Sequence, residues 1–315
     1  MPAPAVTIVI PTYNRLDLLR QTLASVFEQT EPAAEVIVVD DGSDDGSAEY
    51  LQGEDVTVVA NPGGGWGPAR GRDEGFNRVA TDLVCFLDSD DLLLPTALEQ
   101  LAAALAGTPA ASFAFGRSLV ARHDPAGWHP EGLIAPSAAE LAAPLPSLFA
   151  RNYVPSVGTV ARSERVRAIG GYPTAATFAE DHYFWIELAR GGDPVFVPAI
   201  TSVYRAHGGG RHDPALAAAD LSHFTALAAA DPRLAAALPD RLGVQLCETL
   251  APALRARRPA TALTALRTCL GPSPDKRRTA RRALAHWRAR RAGAGIGQDA
   301  LDRDPELAAW LARYS

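Results

Sequence analysis

Cysteine is scarce in this chain. Its three thiols, Cys85, Cys247 and Cys269, lie far apart and form no C-x-x-C pair. Neither a disulfide framework nor a structural zinc site is expected. Cys85 sits inside an apolar run and reads as a small core residue. Long hydrophobic stretches are missing as well. No run of about 20 apolar residues occurs, so no membrane-spanning helix is expected. The opening Met1-Pro2-Ala3-Pro4-Ala5 has neither a basic n-region nor an apolar h-region, and does not read as a signal peptide. Positive charge is not in excess. The formal net charge of −6 argues against a general nucleic-acid binder. Lysine is rare while alanine and arginine abound, a usage associated with high-GC bacterial genomes. These absences together suggest a bacterial protein of the cytoplasm.

What is present is a chain of 315 residues, 47% hydrophobic and 21% charged, enough for one large domain or two ordinary ones with a sizeable core. The first hundred residues alternate two periodicities. Val6 to Ile10, Glu35 to Val39, Val56 to Ala60 and the run ending at Leu87 read as buried strands. Between them, Leu16, Leu19, Leu23 and Val26 recur at helical spacing, with Asn14 as a candidate cap. Further helices are expected over Asp44 to Leu51, Pro68 to Ala80 and onward from Pro95. This alternation implies a mostly parallel sheet with helices on both faces. From 110 to 210 the pattern is mixed. Short strands are expected over Ser112 to Val120, Pro155 to Ala161, Val195 to Val197 and Thr201 to Tyr204, with a helix over Phe178 to Ala189. Beyond Asp213, Ala, Leu and Arg dominate and predict four or five helices.

The most informative segment is Val84-Cys85-Phe86-Leu87-Asp88-Ser89-Asp90-Asp91, an apolar strand that stops at three carboxylates. Burying them without partners would be prohibitive, so they belong at the strand's carboxyl end, where open α/β sheets bind ligands. Hard oxygen ligands there suit Mg or Mn carrying a phosphorylated substrate. An acidic turn capping the Pro95 helix is the plainer reading, and it stays open for Asp91. Every strand of the first half ends in polar or special residues: Pro11-Thr12-Tyr13, Asp40-Asp41, Asn61 and Asp88 to Asp91.

The ordered set Pro11-Thr12-Tyr13-Asn14-Arg15, Asp40-Asp41-Gly42-Ser43, Arg72-Asp73-Glu74-Gly75, Asp88-Ser89-Asp90-Asp91 and Glu180-Asp181 resembles family 2 glycosyltransferases of the GT-A fold. The resemblance covers roughly residues 5 to 207. It implies an inverting, metal-dependent transfer of a sugar from a nucleoside diphosphate, a UDP-sugar or a dTDP-sugar, to a hydroxyl-type acceptor that the sequence does not identify. It implies a GT-A domain over 1–213, with a nucleotide-binding half to about 107 and an acceptor half beyond, and a helical subdomain over 214–315. By the same resemblance Asp90 binds the metal, Asp88 contacts the ribose or the metal's water shell, and Ser89 completes the D-x-D motif. Asp41 meets the uracil N–H, flanked by Pro11, Thr12 and Tyr13, and Gly42 makes the turn. Arg72 takes the family's arginine position, with Arg70 as the alternative because the stretch from Asn61 to Gly75 is longer than usual. Asp181 is the catalytic base and Glu180 positions it. His207 is a third metal ligand or a donor to the leaving phosphate. Trp66 stacks on an acceptor or packs as a lid, and Trp185 belongs to the core.

A sugar nucleotidyltransferase would need a Gly-rich loop after the first strand, where Pro11-Thr12-Tyr13 stands. A non-catalytic nucleotide-sugar binder would not need Asp181. In the tail, Arg255, Arg257, Arg258, Lys276-Arg277-Arg278, Arg281-Arg282 and Arg288 to Arg291 make a cationic helical surface. That surface reads as a solvated face, as a peripheral contact with anionic lipid at the inner membrane face, or as a nucleic-acid contact, while the helical tail as a whole shapes the acceptor site or mediates a homodimer.

Overall fold

The computed structural model describes residues 4–124, 127–174, 179–206, 221–255, 257–292 and 304–314. The alternating first hundred residues form β1 (Val6–Thr12), α1 (Leu16–Phe27), β2 (Glu35–Asp40), α2 (Ser47–Leu51), β3 (Thr57–Ala60), α3 (Gly67–Phe76), β4 (Leu83–Phe86), the short β5 (Leu92–Leu93) and α4 (Ala97–Gly107). Strands β3, β2, β1 and β4 pair in parallel in that order, with Thr12 beside Asp40 and Val9 beside Phe86. Their side chains alternate between two cores. Ile8, Ile10 and Val38 pack with Leu19, Leu23, Leu98 and Leu101 on one face. Val9, Ile37 and Val39 pack with Phe76 and Phe184 on the other. Both faces are covered, which is why these strands read as continuous apolar runs.

Three local expectations need correction. Asn14 does not cap α1. It adopts φ 50° and spans the β2–α2 loop instead, receiving Asp44 N–H at 2.8 Å and donating its own N–H to Ser43 Oγ at 3.0 Å. The α1 terminus is served from across the sheet edge, where Asp45 Oδ2 accepts Leu16 N–H at 2.8 Å. Asp91 does not cap the helix after Pro95, either. Gln29 Oε1 accepts Leu98 N–H at 3.1 Å there. Helix α2 starts at Ser47 rather than Asp44, because the Asp45 carboxylate turns the chain by accepting Ser47 N–H and Oγ–H.

Past α4 the pairing becomes mixed. β6 (Phe113–Asp124), β7 (Gly127–Ile134), β8 (Thr159–Arg162) and β9 (Val195–Arg205) extend the sheet in the order β4-β8-β6-β9-β5, with β7 hydrogen-bonded to β6. β8 runs antiparallel to both β4 and β6, while β6 and β9 are parallel. β9 joins the two short strands expected separately. The register shifts between Phe115 and Arg117 fall opposite Pro198, which has no N–H to give a ladder. α5 (Ala138–Leu141), α6 (Pro144–Ala150), α7 (Ser163–Ala168) and α8 (Glu180–Gly191) accompany this mixed part of the sheet. Glu180 and Asp181 occupy the first turn of α8, and Trp185 is buried against Phe113 and Phe184.

The tail comprises α9 (Leu221–Ala230), α10 (Pro232–Ala235), α11 (Leu238–Arg255), α12 (Pro259–Leu270), α13 (Lys276–Ala292) and α14 (Pro305–Leu311). Phe224, Leu227 and Leu234 enter the same core as Phe149 and Trp185. At the far end, Leu307, Trp310, Leu311 and Tyr314 pack on Leu92, Leu119 and Val203 of the sheet. Glu28, just after α1, accepts from Trp310 Nε1 at 3.2 Å, Arg313 Nη2 at 2.7 Å and Tyr314 Oη at 3.1 Å.

Helix α3 lies unusually close to β1, and Gly75 is the reason. A Cβ at that position would stand 2.4 Å from Val9 Cγ1 and 3.0 Å from Val39 Cγ2. Gly75→Ala should therefore force α3 off the sheet and cost about 1–3 kcal/mol of stability, read as a lower denaturation midpoint with an unchanged slope.

Candidate active site

The carboxyl ends of β1, β2 and β4 and the first turn of α8 enclose one cavity of about 670 Å³. Pro11, Thr12, Tyr13, Asp41, Arg72, Asp88, Ser89, Asp90, Glu180 and Asp181 all line it, as do Arg15, Ser156 and Tyr204. Every donor-side and base residue expected from the sequence is thus on one wall or another, apart from His207. That residue lies outside the described residues, as do Gly208 to Gly210 and His212 after it. Tyr13 is 56% exposed, which removes simple strand-end packing as its explanation.

The acidic turn is built by the strand that carries it. After β4, Asp91 N–H donates to Asp88 O at 3.1 Å, and the turn brings three carboxylates together. One ligand oxygen from each of Asp88, Asp90 and Asp91 lies within 4.8 Å of the others. Asp91 Oδ1 accepts Arg205 N–H at 2.7 Å, while its buried Oδ2 has no hydrogen-bond partner among the described residues. Burial pushes the Asp91 carboxyl well above the usual carboxylate range, and the charges of Asp90 and Asp88 push it further. A buried lone pair facing two more carboxylates is a costly arrangement unless positive charge is supplied. Three hard oxygen donors of this kind fit a divalent cation such as Mg or Mn. Asp91 therefore belongs with the cluster.

Cationic side chains already approach the turn. Arg15, at the start of α1, pairs with Asp90. Arg205, at the end of β9, is buried. Its Nε donates to Asp90 O, and its Nη2 reaches Leu18 O and Thr22 Oγ1, each at 3.2 Å. Arg72, projecting from α3, is also buried. It pairs with Asp88, stands 3.8 Å from Glu180, and lies over the Tyr172 ring at 5.1 Å. Burial acts to lower the Arg72 guanidinium, but the charges of Asp88, Tyr172 and Glu180 outweigh it and hold the group protonated. Of the two candidate arginines, only Arg72 lines the cavity. Arg70 has a side chain 55% exposed, at 3.5 Å from Glu74 and over the Trp66 ring. Trp66 in turn packs, half-buried, against the main core cluster.

Asp41 sits where β2 meets the Gly-rich loop. Its Oδ1 accepts from Asn61 Nδ2 at 2.7 Å and Trp66 N–H at 2.9 Å, and its Oδ2 accepts Gly67 N–H at 2.8 Å. The carboxylate thereby shapes the loop, and Oδ2 keeps one lone pair for a further N–H. The turn after it needs Gly42, whose φ is 84° and whose added Cβ would meet Asn61 O at 2.9 Å. Opposite, Asp181 Oδ2 accepts Asn152 Nδ2–H at 3.1 Å and Oδ1 accepts His182 N–H at 2.7 Å. Burial raises the Asp181 carboxyl above its ordinary range despite those bonds. Glu180 is raised by burial and then by the Asp181 charge.

The sequence left Arg15, Asn152, Tyr172 and Arg205 without roles. Arg15 and Arg205 stood inside recognisable motifs, and their charge beside an acidic turn was the available signal. Asn152 and Tyr172 had none.

Residues 7–151 match the family model described as Glycosyl transferase family 2. Succinoglycan biosynthesis protein ExoW of Rhizobium meliloti is 42% identical over 98 residues, 28% of this chain and 30% of that protein. The first curated relatives are each matched over 14–36% of their own length. Among solved structures, S. aureus TarS 1-349 in complex with UDP-GlcNAc aligns with TM-score 0.64 at 15% identity, over 91% of this chain and 90% of that one. The mannosyltransferase PcManGT from Pyrobaculum calidifontis, in complex with GDP-Man and Mn2+, aligns with TM-score 0.55 at 20% identity, over 94% and 84%. The architecture is the GT-A fold, an α/β sheet flanked by helices.

Arg72 neutralises carboxylates from two separate elements in a site with little solvent. Arg72→Met should lower stability by about 3–5 kcal/mol, the range for stripping one partner from a buried ion pair. Adding Glu180→Gln to that variant should recover part of the loss, measured by denaturant unfolding of both proteins.

Proposed function

We propose that this chain, which belongs to glycosyl transferase family 2 through residues 7–151, moves a sugar from a nucleoside diphosphate to a hydroxyl acceptor with inversion at the anomeric carbon. The observation that carries the reading is the meeting, in one cavity, of the Asp88–Asp91 turn with a half-buried carboxylate, Asp181, from the opposite wall. Thr12 and Tyr13 seat the nucleobase against the Gly-rich loop. The remaining lone pair of Asp41 Oδ2 takes the base N–H, which suits a uracil, and the UDP-GlcNAc complex of the TarS neighbour supports a UDP-sugar donor.

Asp88, Asp90 and Asp91 are the residues that would hold Mn or Mg. When bound, the cation offsets the negative charge of the departing diphosphate without a proton. Arg72 keeps Asp88 in place and brings a second positive charge to the phosphate side. Asp181 takes the proton of the acceptor hydroxyl as its oxygen attacks the anomeric carbon from the face opposite the leaving group. Asn152 fixes the carboxylate that does so. Ordering donor and acceptor in one cavity supplies the remaining advantage. The division into a GT-A domain to about 213 and a helical tail belongs to the same reading, with the tail shaping the acceptor side through Phe224 and Leu227.

Asp181→Asn should cut transfer by roughly 10²–10⁴-fold, the range for a positioned general base. Calorimetry with UDP-sugars in Mn should show donor affinity nearly unchanged in the same protein. Turnover at the wild-type rate would remove Asp181 from the reaction.

A second expectation concerns pH. The base works only when deprotonated, and burial has raised its pKa. The acid limb of kcat/KM should therefore lie above the ordinary aspartate range, with activity lost as pH falls through it. The Asn152 bond favours the charged form, so Asn152→Ala should move that limb to higher pH. An unmoved limb would mean that another group sets it.

A further inference from the structure

Outside the cavity, the described surface departs most from the rest of the chain on the helices after residue 250. From 251 to 292 there are twelve arginines and lysines against the single acid Asp275, in a protein whose formal net charge is −6. The same segment carries five of the eight large hydrophobic side chains left exposed among the described residues: Leu254, Leu263, Leu266, Leu284 and Trp287.

Helix α13 shows how the two kinds of residue are arranged. Its inner face is fixed by contacts. Thr279 is fully buried with its hydroxyl on Ser273, Ala283 packs on the tail's small core, and His286 lies 3.5 Å from Glu248 of α11. Arg277, Arg281, Leu284, Trp287 and Arg288 follow at spacings of three and four residues on the opposite side, and all are exposed. Leu284 is 47% and Trp287 39% accessible. On α12, Leu263, Leu266 and Arg267 repeat the mixture. A face designed only for water would not carry leucine and tryptophan among its arginines. One designed only for a protein core would not carry the arginines.

We propose that this outer face docks the protein on a membrane surface containing anionic lipid. Arginine stems lie along the headgroup layer with guanidinium groups on lipid phosphates. Leu284 and Trp287 enter the boundary with the acyl chains, where tryptophan is most at home. Charge complementarity selects an anionic surface, and the leucines select lipid over a nucleic acid, which would use the arginines alone. The proposal does not depend on the sugar-transfer reading, but it would place an acceptor carried in the bilayer within reach.

The test is sedimentation of the full chain with vesicles of phosphatidylcholine containing phosphatidylglycerol, with pure phosphatidylcholine as control. The wild type should pellet with the anionic vesicles and not with the neutral ones, and high salt should weaken binding. Arg277→Glu/Arg281→Glu/Arg288→Glu should abolish pelleting. Leu284→Ser/Trp287→Ser, which leaves the charge intact, should weaken it by about tenfold or more, since the apolar insertion is lost. Unchanged far-UV circular dichroism and denaturation midpoints of both variants would show that they are folded. Three results would overturn the proposal: no pelleting of the wild type at low salt, full binding by the serine variant together with tighter binding to duplex DNA, or a wild-type dimer that the serine variant dissolves.

Discussion

The structure depends on a buried guanidinium. Arg72 reaches from α3 to Asp88 at the end of β4 and toward Glu180 at the start of α8, while its flat face lies over Tyr172. Two halves of different construction, a parallel part of the sheet and a mixed one, meet at that side chain. A lysine could not replace it, because a single ammonium cannot address two carboxylates and an aromatic face together. Its position rests on the close approach of α3 to β1. The backbone of a helix is thereby used to set the distance between the acidic turn and the carboxylates at the start of α8.

The same logic recurs around the acidic turn. Arg15 and Arg205 come from α1 and β9, elements on either side of the turn, and each meets a different part of it. Arg205 bonds to Asp90 O and to Leu18 O, Gln21 Oε1 and Thr22 Oγ1, and so ties the turn to α1, whereas Arg15 pairs with a carboxylate that lines the cavity. One arginine therefore holds the shape of the turn, and the other faces the cavity. A GT-A fold shared with neighbours of 15–20% identity accommodates this because the sheet edge, not the sequence at large, fixes where the carboxylates stand.

The sequence revealed what was written locally. Continuous apolar runs announced β1, β2 and β4, and three carboxylates within four residues announced the turn. Asp181 was legible as part of a motif. What could not be read were pairings across long separations. Asp45 serves α1, Gln29 serves α4, and Asn152 holds Asp181, all by contacts that only the folded chain creates. Asn14 looked like a cap because its residue type suits one, and tertiary hydrogen bonds took it elsewhere. β7 escaped notice because Gly127 to Ile134 carries Pro130 and no clear alternation. β9 seemed to be two strands because Pro198 interrupts it.

The seam between Glu28 and the segment that holds Trp310, Arg313 and Tyr314 bears on how such a chain is made. The two sides of that seam are separated by nearly the whole polypeptide, and loop closure over such a length is slow. During synthesis, α1 and the first strands emerge and can assemble long before Leu307 and Leu311 exist. Until those arrive, the apolar patch of Leu92, Leu119 and Val203 faces water. The nascent protein thus passes through a stage with a nearly complete nucleotide half and an open, sticky flank, a stage at which a chaperone would find its surface.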